Sequence, residues 1–198
     1  MAKIKLTKNE LKAQRDALAR FERYLPTLQL KKQQLQMEVR QIEAKIEKMR
    51  AEERERMQAL NRWVRLFAEP FDFDEYVQLK AVEISRGNIA GVNIPVLEDV
   101  RFDINIPDLF ATPAWVDDGM ETLQQLIRLR VEKLVFQQQI VCLKEELRVT
   151  NQRVNLFEKV KIPECRENIR TIRVFMGDQE TAAVARAKIA KGKTVAKR

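Results

Sequence analysis

The chain has no histidine, only two cysteines and only five glycines among its 198 residues, and each scarcity removes a class of function. Without histidine there is no imidazole base, no Ser/His or Cys/His nucleophile pair, and none of the commonest zinc-site nitrogens. Cys142 and Cys165 lack metal-type spacing and read as ordinary packing or surface residues, not a redox pair. No apolar run approaches the ~20 residues that a membrane span needs, and the N-terminus shows no apolar signal region. The expectation is a protein made and kept in the cytosol, able to sit on a membrane-bound partner. Glycine is absent from the first 86 residues, and four of the six prolines (Pro70, Pro95, Pro107, Pro113) fall in the middle of the chain. With 33% charged residues and 7% aromatics, this is the profile of a helix-rich chain and not of a compact mixed sheet.

What is present is charge, and it is placed unevenly. Residues 1–15 hold Lys3, Lys5, Lys8, Lys12 and Arg15 against Glu10, a balance of +4. Residues 181–198 hold Arg186, Lys188, Lys191, Lys193, Lys197 and Arg198 with no acid, so +6. The net charge of the whole chain is +8, so the 165 residues between carry −2. If the two ends meet in space they form one strongly positive tip.

Helix 1 begins with Thr7 as N-cap and Glu10 three residues on, the spacing of a capping box. From Leu11 an unbroken heptad can be written. Leu11, Leu18, Leu25, Val39, Ile46, Leu60 and Phe67 stand at a; Phe21, Leu28, Leu35, Ile42, Met49 and Trp63 stand at d. Gln14, Lys32, Glu53 and Arg56 are the polar interruptions, so 13 of 17 seam positions are apolar. A narrow stripe of period 3.5 favours supercoiling against a partner helix. Helix 2 carries a matching stripe through Leu126, Leu129, Lys133, Phe136, Ile140, Leu143, Leu147, Thr150, Val154 and Phe157. The register then slips by one and continues through Ile162, Cys165, Ile169, Ile172 and Met176. The slip coincides with Pro163, which removes a backbone donor, and Gly177 stands where a C′ residue would end the helix. Thr112 with Pro113, or Asp118 with Glu121, could open it. Folding the chain back near residues 94–95 sets Pro26 opposite Pro163, so both strands of an intramolecular hairpin would bend together.

The middle changes period. Val77 to Arg86 alternates roughly, Gly87-Asn88 offers a turn, and Val100, Phe102, Ile104 and Ile106 alternate cleanly. Two or three short strands are expected, and so small a sheet must rest on the helix ends. The fold expected is all-α dominated: a long antiparallel two-helix coiled coil with a small β-hairpin or irregular cap in mid-chain. It forms a single elongated domain over 1–198, with helix 1 at 7–67, the cap at 68–117, helix 2 at 118–176 and a flexible basic tail at 177–198.

Two features imitate chemistry. Gly192-Lys193-Thr194 resembles the end of a phosphate-binding loop, but Ala187 stands where that loop needs glycine and no buried strand precedes it. Glu52-Glu53-Arg54-Glu55-Arg56 could suggest paired carboxylates, yet on an exposed helix it reads as a solvated ion-pair face. No catalytic, cofactor-binding or metal-ligating residue is assigned, and no cofactor is expected.

Three stretches are more specific. Lys5 to Leu11 and Arg23-Tyr-Leu-Pro-Thr-Leu-Gln-Leu-Lys-Lys-Gln-Gln-Leu35 closely resemble the first helix of the D subunit of V-type (archaeal and bacterial) ATP synthases and ATPases. Asn88-Ile-Ala-Gly-Val-Asn-Ile-Pro95 is similar to that family's mid-chain segment, and Arg153 to Arg170, proline included, to its C-terminal helix. The resemblance runs nearly end to end. It implies a non-catalytic central-stalk rotor coupling ATP synthesis or hydrolysis to ion (proton) translocation. It also implies that both termini point into the ring of catalytic and non-catalytic A and B subunits, with a small F subunit alongside and the connecting C subunit towards the membrane ring. No small-molecule substrate or nucleic acid is implied. The membrane is reached only indirectly, from the cytoplasmic face and through the complex.

Two other classes compete. A prefoldin-like chaperone also joins long helices through β-hairpins, but its helix tips should be apolar to hold clients, whereas these ends are basic. A basic coiled coil that binds nucleic acid is the other, though interleaved aromatics and a groove-reading module are missing.

Overall fold

A computed structural model describes residues 4–60, 73–108, 112–113 and 115–195. Their order is α1 (Lys8–Leu60), α2 (Phe73–Tyr76), β1 (Val77–Ile89), β2 (Val92–Ile104), α3 (Val116–Leu156), a π-helical turn (Phe157–Lys161) and α4 (Ile162–Val195). Long helices with one two-stranded antiparallel sheet make the fold all-α with a small β-hairpin. Contacts divide the chain into two units, residues 33–148 and residues 1–32 with 149–198.

In the unit of residues 33–148, α1 and α3 run antiparallel, and the hairpin lies against both. Leu35, Val39, Ile42 and Ile46 of α1 form one buried cluster with Leu143 of α3 and Ile94 of β2. Every one of these helical residues is a seam position of the heptads. All five buried residues of α1 (these four and Met49) belong to this unit, and for the first four the hairpin covers what two helices alone leave half open. The expected support from helix ends holds for the base of the hairpin, where Val77 meets Val116 and Met120, but its turn end goes further: Ile89, Val92, Ile94 and Val96 rest on mid-helix positions. The hairpin also buries a second face of α3. Val135 is 8% and Gln139 5% exposed although neither is on the seam, and Gln139 Nε2 donates to the Pro95 carbonyl at 2.6 Å. A smaller cluster of Val77, Val116 and Met120 closes the base of the ribbon, with Phe73 and Trp115 rings 5.9 Å apart beside it.

The strands have 13 residues each and turn at Ala90-Gly91, three residues beyond the expected Gly87-Asn88. Both turn residues have positive φ, +51° and +79°, as a type I′ hairpin turn requires. Asn88 acts from the strand end: its Oδ1 accepts the Gly91 N–H at 3.0 Å and its Nδ2 donates to Asn93 Oδ1 at 3.2 Å. Gly87 serves close approach instead, since a Cβ there would fall 2.6 Å from Val96 Cγ2. One residue is extra on each strand, between Leu79 and Ala81 and opposite Glu83/Ile84. Such bulges increase local twist.

In the unit of residues 1–32 and 149–198, Thr7 caps α1 as expected, but the Glu10 carboxylate accepts from Gln14 Nε2 at 2.9 Å instead of closing the capping box. The Glu10 N–H meets Thr7 Oγ1 at 3.3 Å and the Leu11 N–H meets the Thr7 carbonyl at 2.9 Å. Val154, Ile162, Cys165, Ile169 and Ile172 are buried, which bears out the seam on both sides of its slip. The π-turn is the physical form of that slip: a wider turn absorbs one extra residue without rotating the seam away. Gly177 does not end the helix, and the flexible tail is corrected. α4 runs on to Val195, because one helical glycine costs only about 1 kcal/mol and the Ala, Lys and Arg residues that follow favour helix. In the unit of residues 33–148, helix 2 starts at Val116, between the two proposed caps. The Val116 N–H bonds the Pro113 carbonyl, and its side chain is anchored in the lower cluster. Trp63 and Phe67, the last seam positions expected of helix 1, lie outside the described residues.

Candidate interaction surfaces

Among the described residues no three Cys, Asp or Glu side chains gather as metal ligands. Gly192 and Lys193 lie within α4, so the phosphate-loop resemblance has no loop to stand on. Cys165 is buried in the seam. Burial first, then the nearby Glu164 carboxylate, push its thiol up against the opposing effect of Lys161, which keeps it protonated and unreactive at neutral pH. What the chain offers instead is two kinds of surface.

The first is charge. The unit holding both termini carries 21 Lys and Arg against 8 Asp and Glu, +13, whereas residues 33–148 carry 16 against 21, −5. Arg186, Lys188, Lys191 and Lys193 are all exposed and all helical. At about 100° per residue, Arg186 and Lys193 share one side of α4 while Lys188 and Lys191 share the opposite one. The positive charge therefore surrounds the helix and does not mark one face. Exposed Val184 and Ile189 are single apolar positions between these cations.

The second is a polar interruption of the seam. Glu53, read from sequence as part of a solvated alternation, instead reaches across to α3. Its carboxylate accepts from Lys133 Nζ and, at 3.0 Å, from Arg130 Nε. The Glu53 and Lys133 side chains are only 18% and 20% exposed, and the Lys133 bond, then that of Arg130, holds the Glu53 carboxyl below its ordinary range. Two more of the four polar seam residues of helix 1 find polar partners within their own units. Arg56 donates to Gln125 at 3.1 Å, and Gln14 accepts from Asn168 at 3.4 Å. Lys144 pairs with Glu43, and Arg166 with Glu22, both at 2.8 Å, along the seam margins. Seam position and opposite charge were readable in Glu53 and Lys133 separately; their pairing was not.

Two antiparallel helices bearing a two-stranded β-ribbon define the fold of residues 33–148, and the last helix of the other unit carries an acid-free run of cations. The family of ATP synthase D subunits matches residues 10–192. The V-type ATP synthase D subunit of Borreliella burgdorferi is 48% identical over 197 residues, covering 100% of this chain and 98% of the relative. Those of Chlamydia pneumoniae and Chlamydia muridarum are 35% and 36% identical, covering 96% and 97% of this chain and 92% and 96% of the relatives. The chain belongs to the ATP synthase D-subunit family.

Proposed function

We propose that this protein is the central-stalk rotor of a V-type ATP synthase or ATPase. It hydrolyses nothing itself and couples ATP turnover in a catalytic head to ion translocation, protons in the simplest reading. Family membership supports the stalk role, and the observation that carries the mechanical reading is α4. Residues 181–193 form a helical extension with cations on opposite sides and no acid. A helix that meets several surrounding proteins in turn needs attraction in every direction and a locked, dry contact in none. Screened charge supplies that, because it acts over roughly a Debye length of 8–10 Å without fixing one geometry. The partners in this reading are the A and B subunits of the head around the termini, with the F and C subunits along the stalk. The place is the cytoplasmic face of the membrane, reached through the complex, and among the described residues no helix is long and apolar enough to cross it.

The test is co-expression with the proteins of the catalytic head and purification through a tag on one of them. One copy of this chain per ring is expected. Its absence from an otherwise intact ring would overturn the rotor reading.

A further inference from the structure

Within the unit of residues 1–32 and 149–198 the two helices are weakened at the same level. From the end of α3 into α4 the seam steps Val154, Phe157, Ile162, Cys165, Ile169, Ile172 advance by three or four residues, except for a step of five between Phe157 and Ile162. That step is the π-turn Phe157–Lys161, in which the Ile162 N–H reaches back to the Phe157 carbonyl and no residue is buried. Pro163 follows at once and has no N–H to give to the preceding turn. On α1, Pro26 lies inside the helix and leaves the Glu22 carbonyl without its ladder donor. The Glu22–Arg166 ion pair at 2.8 Å ties the helices together. One antiparallel turn from that pair leads along α1 to Pro26 and back along α4 to Ile162. The Phe21 and Phe157 rings, 4.9 Å apart and tilted by 53°, span the same level from inside.

We propose that residues 157–163 together with Pro26 form a built-in bending joint, where this unit flexes without losing its seam. Sharp helix bends have identifiable causes, proline and π-turns among them, and here both stand on one strand while a proline stands on the other. Flanking segments of α3 and α4 are regular and buried on one side, so bending concentrates at the joint. The inference stands on helix geometry alone and is independent of the rotor reading.

Amide hydrogen exchange on the full chain tests it. Backbone amides of residues 158–160 should exchange at least about tenfold faster than those of Gln152, Arg153, Arg166, Glu167 and Arg170, which are equally exposed on regular turns. Deleting Val160 together with Pro163→Ala makes the seam advance by threes and fours throughout, and should bring the segment to the protection of its flanks. Should that variant fail to fold, Pro163→Ala alone keeps the length and the seam, and should slow exchange at the joint several-fold. Uniform protection in the parent protein, or unchanged fast exchange once the proline is replaced, would overturn the proposal.

Discussion

Two carboxyls with lowered pKa illustrate why a residue's surroundings decide its worth. Glu145 is held below its ordinary range by a hydrogen bond and charge attraction from Arg148, but both side chains are about 60% exposed and three residues apart on one helix. Such a pair is screened and adds little. Glu53 is shifted by the same kind of bonds, yet its partners Lys133 and Arg130 belong to another helix, and the Glu53 and Lys133 side chains are largely covered by protein. Removing the charge strands Lys133 in a partly dry seam, so Glu53→Gln should cost about 1–2 kcal/mol at pH 7 in urea unfolding. The sign of the pH dependence follows from the direction of the shift. A folded pKa below the unfolded ~4.3 gives stability that is complete above that value and disappears as pH falls through the folded one. The parent should therefore lose stability as pH falls below the ordinary carboxylate range, and the Gln variant should lose less there. Equal slopes would remove Glu53 from the account.

The hairpin shows the same dependence among whole elements. Alternation was enough to find the strands, and Gly-Asn was a reasonable turn signal, but the chain turns three residues later. Turn position follows the pairing that lets Ile94 enter the helical core, and Gly87 is spent on the contact with Val96. Gly87→Ala would place its methyl group against a branched, restricted side chain. A loss of about 1–3 kcal/mol in thermal or urea unfolding is expected. Val96→Ala opens the space, so the double variant should be more stable than the sum of the two single losses. Strict additivity would mean that the two residues do not meet. The helices were more legible than the strands. All five buried residues of α1 are seam positions, and the five-residue step at Phe157–Ile162 marked the place of the π-turn. The passage of α4 through Gly177 was not legible, since the same glycine is compatible with a cap or with continuing helix, and only its φ distinguishes them.

For the whole molecule the deciding quantity is the sign and placement of charge. One unit carries +13 and the other −5, a contrast that the overall +8 conceals. Changing Arg186, Lys188, Lys191 and Lys193 together to Gln should weaken assembly with the catalytic head most at low salt, with the parent and variant converging as salt rises. These side chains are exposed on a helical surface, so stability should shift by no more than roughly 0.5 kcal/mol for each position in thermal unfolding. Assembly and ATP-driven rotation identical to the parent at every salt concentration would exclude electrostatic coupling through this helix.

The sequence by itself determined the two long helices, their shared stripe, the strand-forming middle and the terminal charge. Periodicity, capping and composition are local properties, and a chain carries them whatever it later touches. Tertiary structure alone decided that Val135 and Gln139 are buried, that Glu53 finds Lys133 and Arg130, and that the ribbon turns at Ala90-Gly91. Each of these depends on which surface a distant segment covers. Gln139 and Pro95 are 44 residues apart, and Glu53 and Lys133 are 80 apart. No local pattern encodes such a meeting; it exists once the hairpin of helices has brought the two surfaces together.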